Sequence, residues 1–141
     1  MKFFLDSNVL IDIANETADA TRIQTRLDAA GPRNCAISAI TIEELQFGVL
    51  SGPAARKGYQ VRNLKALIAA FARLDFTPDA ARAAAKLRLQ LRNQVKAPGK
   101  KLPGVADLLL AGHALSEHRM LASADKGSEL LTGINVQNWR L

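Results

Sequence analysis

The sequence predicts an α/β protein, an α/β/α sandwich in which helices cover both faces of a mainly parallel central sheet. Short apolar runs without polar alternation, such as residues 3–5, are typical of strands buried on both faces. Such runs alternate along the chain with stretches whose apolar residues recur at helical spacing. The length of 141 residues and the 48% hydrophobic content suit one core, so we expect a single domain over residues 1–141.

The first half of the chain contains two predicted strands and three predicted helices. Gly31 and Pro32 end the second helix, and Ser38 and Thr41 open the third. The elements in order are a strand over residues 3–5, a helix from about Asn8, a helix over 18–30, a strand over 35–37 and a helix ending near Gly52.

The second half continues the alternation of helices and strands. Its clearest helix start is Thr77 followed by Pro78, a capping residue before a proline in the first helical position. The predicted elements are helices over 54–74, 78–95 and 105–111, strands over 74–76 and 120–123, a short helix over 128–131 and an edge strand over 134–139.

Composition excludes several classes of protein. The N-terminus has no signal-peptide pattern, and no apolar run is long enough to cross a bilayer, so we expect a cytoplasmic protein without a membrane partner. Cys35 is the single cysteine, which excludes a disulfide framework and a thiolate metal site.

The net charge of +6 is concentrated in the middle of the chain, where Asp75 and Asp79 are the only acids between positions 45 and 106. A basic segment indicates a polyanion or an acidic partner, and a solvated face is the alternative. Opposite the apolar stripe of the helix over 78–95, four cations are candidate phosphate contacts: Arg82, Lys86, Arg92 and Lys96.

Four acids occupy similar positions relative to the predicted elements. Asp6 and Asp125 follow strands, whereas Glu44 and Asp107 lie near the start of helices. Each has a structural alternative, because an acid in these positions can cap a helix or complement its dipole. In particular, Thr41 and Glu44 match a capping box.

The structural alternative is less satisfactory when the four acids are considered together. A parallel sheet gathers its strand ends and helix starts at one edge, where ligands bind. Two carboxylates about 5 Å apart repel by roughly 3 kcal/mol at an effective dielectric near 20, so protons or a cation must compensate. Mg²⁺ takes oxygen ligands of this kind. An acidic metal pocket beside a basic surface indicates a nuclease.

Four stretches carry a family resemblance: residues 5–11 (LDSNVLI), 38–48 (SAITIEELQFG), 103–115 (PGVADLLLAGHAL) and 121–125 (LASAD). In this order they resemble PIN-domain proteins, and specifically VapC-type toxins of bacterial toxin–antitoxin pairs. The resemblance implies an endoribonuclease that depends on Mg²⁺ or Mn²⁺, cleaves an RNA substrate, forms a homodimer and is silenced by a cognate antitoxin.

By position, Asp6, Glu44 and Asp107 match the three principal acids of the family, and Asp125 matches a more variable fourth acid. We expect Asp6 and Asp107 to bind the metal directly, while Glu44 and Asp125 hold its waters. The mechanism that the resemblance implies is metal-assisted hydrolysis.

The residues around these acids are also assigned by position. Asn8 and Ser123 are expected to orient the ligands, and Glu43 is the neighbouring alternative to Glu44. Ala106 departs from the family, in which a polar residue, often Asn, precedes the third acid.

Two alternatives complete the predictions. His113 and His118 are not spaced as a zinc pair on one helical face, so we expect both to be structural. The rival function is a catalytically silent protein that keeps the fold and binds nucleic acid or an acidic protein partner.

Overall fold

A computed structural model describes residues 1–52, 58–95, 102–124 and 135–140. Its centre is a five-stranded sheet with the strand order β3-β2-β1-β4-β5. The strands are β1 (Phe3–Leu5), β2 (Cys35–Ser38), β3 (Ala72–Leu74), β4 (Met120–Ser123) and β5 (Val136–Asn138). The helices are α1 (Ser7–Ala14), α2 (Ala20–Ala30), α3 (Ala39–Ser51), α4 (Tyr59–Ala70), α5 (Pro78–Gln94) and α6 (Val105–Ser116).

Every strand pair in the sheet is parallel, so all carboxyl ends of the strands lie at one edge. The central strand β1 is buried along its whole length. It pairs with β2 and β4, with Phe4 opposite both Ala36 and Leu121. The fully buried apolar strand explains why residues 3–5 have no polar alternation.

Alternate residues of the strands enter two different cores, one on each face of the sheet. One core packs strand residues against α6 and consists of Phe4, Ala36, Leu110, Ala114 and Leu121. The other includes Phe3, Leu5 and Ile37 and packs against α1 and α2 through Val9, Leu10, Ile23 and Leu27. Helices therefore cover both faces, and the predicted α/β/α sandwich is confirmed.

Helix α5 packs closely along α6. The predicted start of α5 is confirmed, since Thr77 Oγ1 accepts a hydrogen bond from Ala80 N at 3.2 Å and Pro78 is the first helical residue. The closest approach is at Gly112, where an added Cβ would lie 2.4 Å from Ala84 Cα. Only a glycine at position 112 allows the two helix backbones to come so near.

Several predicted boundaries were wrong. Helix α4 ends at Ala70, and β3 begins at Ala72, two residues before the predicted strand. β3 is an edge strand with Ala72 and Arg73 exposed, so it has no apolar run to mark it. Helix α6 continues to Ser116 beyond the predicted position 111. The predicted helix over 128–131 lies outside the described residues.

The other predicted elements are observed with small shifts. The predicted edge strand corresponds to β5, which pairs only with β4 in the described sheet. Helix α1 begins at Ser7, and a turn in which Glu16 has a φ of 51° separates it from α2. Within the described ranges, no helix combines the length and apolar character needed to cross a bilayer.

Candidate active site

The carboxyl edge of the sheet brings together residues that are distant in the sequence. Asp6 directly follows β1, and its backbone N donates a hydrogen bond to Ala122 O at 2.9 Å, which continues the ladder with β4. Ser38 and Ser123 end β2 and β4, and Asp107 lies in the first turn of α6. The parallel topology therefore brings Asp6 and Asp107 to this edge, together with Ser38 and Ser123.

Asp6 is held by hydrogen bonds to both of its carboxylate oxygens. It is 7% exposed and caps α1, where Oδ1 accepts from Ser7 N at 2.7 Å. Oδ2 accepts from Ser123 Oγ at 3.2 Å. Ser123 Oγ in turn accepts from Asn8 Nδ2 at 3.3 Å, and Asn8 Oδ1 accepts from Ala124 N at 2.9 Å. Asp6 is thus both a cap and the end of a hydrogen-bond chain from β4.

The environment of Asp6 disfavours its charge. Burial is the main cause that raises its pKa from 3.8 to about 6, and the negative charge of Asp107 raises it further. The hydrogen bonds from Ser7 and Ser123 act in the opposite direction because they stabilise the carboxylate. Asp6 therefore lies near Asp107 in a pocket that favours a compensating positive charge.

Glu44 is not part of a capping box. The N-cap of α3 is Ser38, whose Oγ accepts from Ile40 N at 3.1 Å, and Thr41 lies inside the helix. Within the described part of the chain, the buried Glu44 Oε1 has no hydrogen-bond partner, and neither does the buried Thr41 Oγ1. The structural alternative for Glu44 is thus excluded, and a buried carboxylate oxygen remains available to a ligand.

Glu44 shares the pocket with the other two acids. Its pKa is raised from 4.5 to about 7, mainly by burial and then by the charges of Asp6, Asp107 and Glu43. Glu44 is half-buried, whereas Glu43 is exposed. The structure therefore brings Asp6, Glu44 and Asp107 together from three separate segments, while the fourth predicted acid, Asp125, lies outside the described residues.

The donor set of this pocket fits a hard divalent cation. No three His, Cys, Asp or Glu side chains in the described ranges are close enough to one another to form a complete metal cage. Mg²⁺ does not require such a cage, because it is commonly bound by one or two carboxylates and keeps several waters. The free Glu44 Oε1 is a suitable acceptor for a water of this kind.

The basic residues of α5 divide between two faces. Arg82 and Lys86 are exposed, and Arg82 forms an ion pair with Asp79. Arg92 instead lines a groove of about 320 Å³ between α5 and α6, together with Arg88, a residue of the basic segment that was not among the predicted phosphate contacts. Lys96 lies outside the described residues. The predicted basic surface is exposed, but its residues do not form a single stripe.

A second groove, of about 200 Å³, begins at the acidic pocket. Glu44 is part of its lining, and the rest is largely apolar: Ile11 of α1, Leu45, Gly48 and Val49 of α3, and Val61 and Leu64 of α4. The same helices expose large apolar side chains, with Phe47 66%, Leu50 76% and Tyr59 57% exposed. Such a patch indicates a surface that binds a partner.

The two histidines differ in their surroundings. His113 is fully buried, with Nδ1 2.7 Å from Ser38 Oγ and its ring against Phe4 and Phe76. His118 is exposed in the turn after α6. His113 Nε2 lies 3.9 Å from Glu117 Oε1 on the same helix. The structural role that the sequence predicts for both histidines stays a prediction.

Known proteins resemble this chain over nearly its whole length. A profile of the PIN domain family matches residues 3–131. VapC ribonuclease Y4jK of Sinorhizobium fredii is 30% identical over 138 residues, which cover 95% of this chain and 94% of that protein.

Solved structures show the same fold. DNA-bound VapBC from Salmonella typhimurium has a TM-score of 0.76 at 25% identity, covering 99% of this chain and 98% of that chain. VapBC2 from Rickettsia felis, bound to a promoter DNA fragment, has a TM-score of 0.81 at 24% identity, covering 99% of each chain. The family match and the similarity to a VapC ribonuclease show that the chain belongs to the PIN domain family.

Proposed function

We propose that this protein is a metal-dependent endoribonuclease that hydrolyses RNA phosphodiester bonds and acts as the toxin of a toxin–antitoxin pair. The observation that carries the proposal is the convergence of Asp6, Glu44 and Asp107 in one pocket, where burial and then the neighbouring charges raise the pKa of Asp6 and of Glu44. A binding protein without a metal would gain nothing from this repulsion. The similarity to a VapC ribonuclease supports the same reaction.

Each residue of the pocket has a role that follows from its surroundings. Asp6 is oriented by Ser7 and Ser123 and, with Asp107, would hold a Mg²⁺ or Mn²⁺ ion. Glu44 Oε1, which has no hydrogen-bond partner in the described chain, would accept a hydrogen bond from a water and orient it. When bound, the metal ion lowers the pKa of an attacking water and stabilises charge on the phosphate.

The decisive experiment combines cleavage with RNA-end mapping. Purified protein is incubated with total RNA in Mg²⁺, in Mn²⁺ and in chelator, and the new RNA ends are sequenced. We expect defined internal cuts only with metal. RNA binding without cleavage in any metal would instead support the catalytically silent binding protein.

We also propose that exposed cations of α5 hold the RNA backbone. Lys86 and Arg92 are exposed, and phosphate contacts by such residues give affinity without reading the sequence. Replacing both by Gln should lower the slope of log affinity against log salt by about 1.4, at roughly 0.7 for each contact with a single strand. Arg33→Gln, before the amino end of β2, is the control and should leave the slope unchanged. An unchanged slope in the double variant would show that Lys86 and Arg92 are solvated and do not contact phosphates.

We propose that the apolar groove beside Glu44 is the binding site of the antitoxin. The solved VapBC relatives are complexes. The groove in this chain has a largely apolar lining with Glu44 at one end. An antitoxin segment with apolar side chains and a basic end would complement both features. A dimer of the toxin, which the family resemblance implies, is tested separately by light scattering of the purified chain.

A substitution at Gly48 tests this proposed binding site. An added Cβ at Gly48 meets nothing within 4 Å, so Gly48→Leu fills the groove without strain on α3. We expect the variant to cleave RNA but to escape inhibition by the antitoxin encoded beside it. Gln46→Leu, exposed on the same helix outside the groove, is the matched control. Equal inhibition of the two variants would place the antitoxin elsewhere.

A further inference from the structure

The buried contact between Ser38 and His113 joins the two helices that carry Glu44 and Asp107. Ser38 is the N-cap of α3, and His113 lies in the middle of α6. Ser38 Oγ lies 2.7 Å from His113 Nδ1, and both side chains are fully buried. The contact bridges residues 75 positions apart in the chain.

The contact lies on the same face of the sheet as the acidic pocket. Phe4 of β1 is paired with Ala36 of β2, and both pack against α6. Two residues further along each strand are Asp6 and Ser38, whose side chains therefore point to that same face. Ser38 is thus next to Asp6 at the carboxyl edge and beneath α6.

The contact fits a neutral imidazole that accepts a hydrogen bond from Ser38. Ser38 Oγ already accepts the amide of Ile40, so its own hydrogen is available to Nδ1 of a neutral imidazole. Burial, the main cause, lowers the pKa of His113 and keeps the ring neutral. The ring is further restrained by Phe4, at 4.7 Å between centroids, and by Phe76, at 5.4 Å. The imidazole can therefore neither rotate nor leave without breaking the contact.

We propose that Ser38 and His113 are a positioning pair that sets the distance between α3 and α6, and hence between Glu44 and Asp107. The inference rests on the metal-dependent function proposed above. Glu44 depends on this pair because its buried Oε1 has no partner of its own in the described chain. Its position is therefore fixed only through the backbone of α3, whose first turn is anchored by Ser38. Ile40 of the same turn adds an apolar contact with the core beneath α6.

The test measures Mn²⁺ binding to the whole protein without RNA, by calorimetry at a temperature where every variant is folded. Ser38→Ala and His113→Leu should each weaken binding roughly tenfold, the lower end of what loss of an outer partner costs a metal site. The double variant should be no worse than either single variant, because the same bond is lost. His113→Asn should regain most of the affinity, since its amide oxygen can accept from Ser38 near the position of Nδ1.

A matched control separates positioning from helix capping. Thr77→Ala also removes a capping hydroxyl, but from α5, which carries none of the three pocket acids Asp6, Glu44 and Asp107. We expect this variant to bind Mn²⁺ like the parent. In cleavage assays, Ser38→Ala should require more Mn²⁺ for half-maximal rate, and the rate at saturating Mn²⁺ should largely recover.

The outcomes distinguish the two proposals. If Ser38→Ala and Thr77→Ala bind Mn²⁺ equally well, the pair is only structural, and this conclusion holds even if His113→Leu does not fold. If the parent binds Mn²⁺ but does not cleave RNA, the proposed function fails, while the binding ratios still decide the role of the pair. If the parent does not bind Mn²⁺, both proposals are wrong.

Discussion

Asp6 and Glu44 lie in the same pocket, but the protein holds their carboxylates in opposite ways. Both oxygens of Asp6 accept hydrogen bonds, from Ser7 N and from Ser123 Oγ, and Asn8 supports the second of these donors. Glu44 has a buried oxygen without a hydrogen-bond partner in the described chain. One acid is oriented by side chains around it, and the other only by the helix that carries it.

This difference indicates different roles for the two acids in the proposed metal site. A carboxylate with a fixed orientation can bind a cation without reorganisation, which is the condition for a direct metal ligand. A carboxylate with a free oxygen can accept a hydrogen bond from a water or another ligand. Changes at Asp6 should therefore abolish the function, whereas changes at Glu44 should modify it.

The largest expected effect is that of Asp6→Asn. The variant keeps an oxygen that can accept from Ser7 N, so the fold should be retained, but the charge that is proposed to bind the cation is lost. Cleavage should fall by more than about a hundredfold, since the loss of an outer partner alone costs 10–100-fold. A cleavage assay with circular dichroism as the folding control measures this. A folded variant with near-parental cleavage would remove Asp6 from the metal site.

The stability of the metal-free protein should depend on pH through both acids. Their pKa values are raised, Asp6 to about 6 and Glu44 to about 7, so the folded state retains protons that the unfolded state has released. The stabilisation from these groups is complete below pH 4 and is lost as the pH rises to about 7. The buried Asp6 alone accounts for a loss on the order of 3 kcal/mol, and saturating Mg²⁺ should remove most of this pH dependence. Denaturant unfolding between pH 4 and 8 tests this, and a stability that rises over that range without metal would contradict it.

Glu44→Gln should separate metal binding from stability. The substitution removes one negative charge, so the metal-free protein should become more stable by about 1–3 kcal/mol. Added Mg²⁺ should raise the melting temperature of the variant less than that of the parent, because a ligand stabilises only by binding the folded state. Cleavage should fall, but less than in Asp6→Asn.

Glu43→Gln is the control for this variant, because Glu43 is the exposed neighbour on the same helix. It should leave the melting temperature, the metal response and cleavage close to those of the parent. If Glu43→Gln loses cleavage and Glu44→Gln does not, the assignment of the second acid moves to Glu43.

The smallest effects should come from changes to the serines that donate hydrogen bonds to Asp6. Ser123→Ala removes the donor to Asp6 Oδ2, which should weaken Mg²⁺ activation by roughly tenfold. Ser7→Ala removes a hydroxyl that is 3.4 Å from Oδ1 and leaves the stronger backbone hydrogen bond intact, so its effect should be smaller. Comparing the Mg²⁺ concentrations for half-maximal cleavage gives the order. Equal effects of the two variants would show that Ser123 does not orient Asp6.

The sequence predicted the residues whose local pattern determines their surroundings. Asp6 follows a buried strand, and Thr77 precedes a proline at a helix start, so both could be placed without knowledge of distant contacts. The cap of α3 could not be decided, because Ser38 and Thr41 are both good capping residues. Tertiary packing of Ser38 on His113 accompanies the choice of the earlier start.

Features that depend on two elements at once were not predicted. The edge strand β3 has an exposed face and no apolar run, so its position follows from pairing with β2. Arg88 belongs to the basic segment, but its place beside Arg92 could not be predicted, because the pattern of α5 does not show that α6 lies beside it to form a groove. The convergence of Asp6, Glu44 and Asp107 is the exception, because a parallel sheet places its strand ends and the following helix starts at one edge.

The contact of Gly112 with Ala84 has a consequence for genetics. A methyl group at position 112 would force α6 away from α5, and overpacking of this kind typically destabilises a protein by about 1–3 kcal/mol. A loss of this size is tolerated in the cold but can unfold a marginally stable domain on warming. Gly112→Ala would therefore serve as a temperature-sensitive allele that keeps Asp6, Glu44 and Asp107. Warming a culture that carries it would inactivate the protein without any inducer.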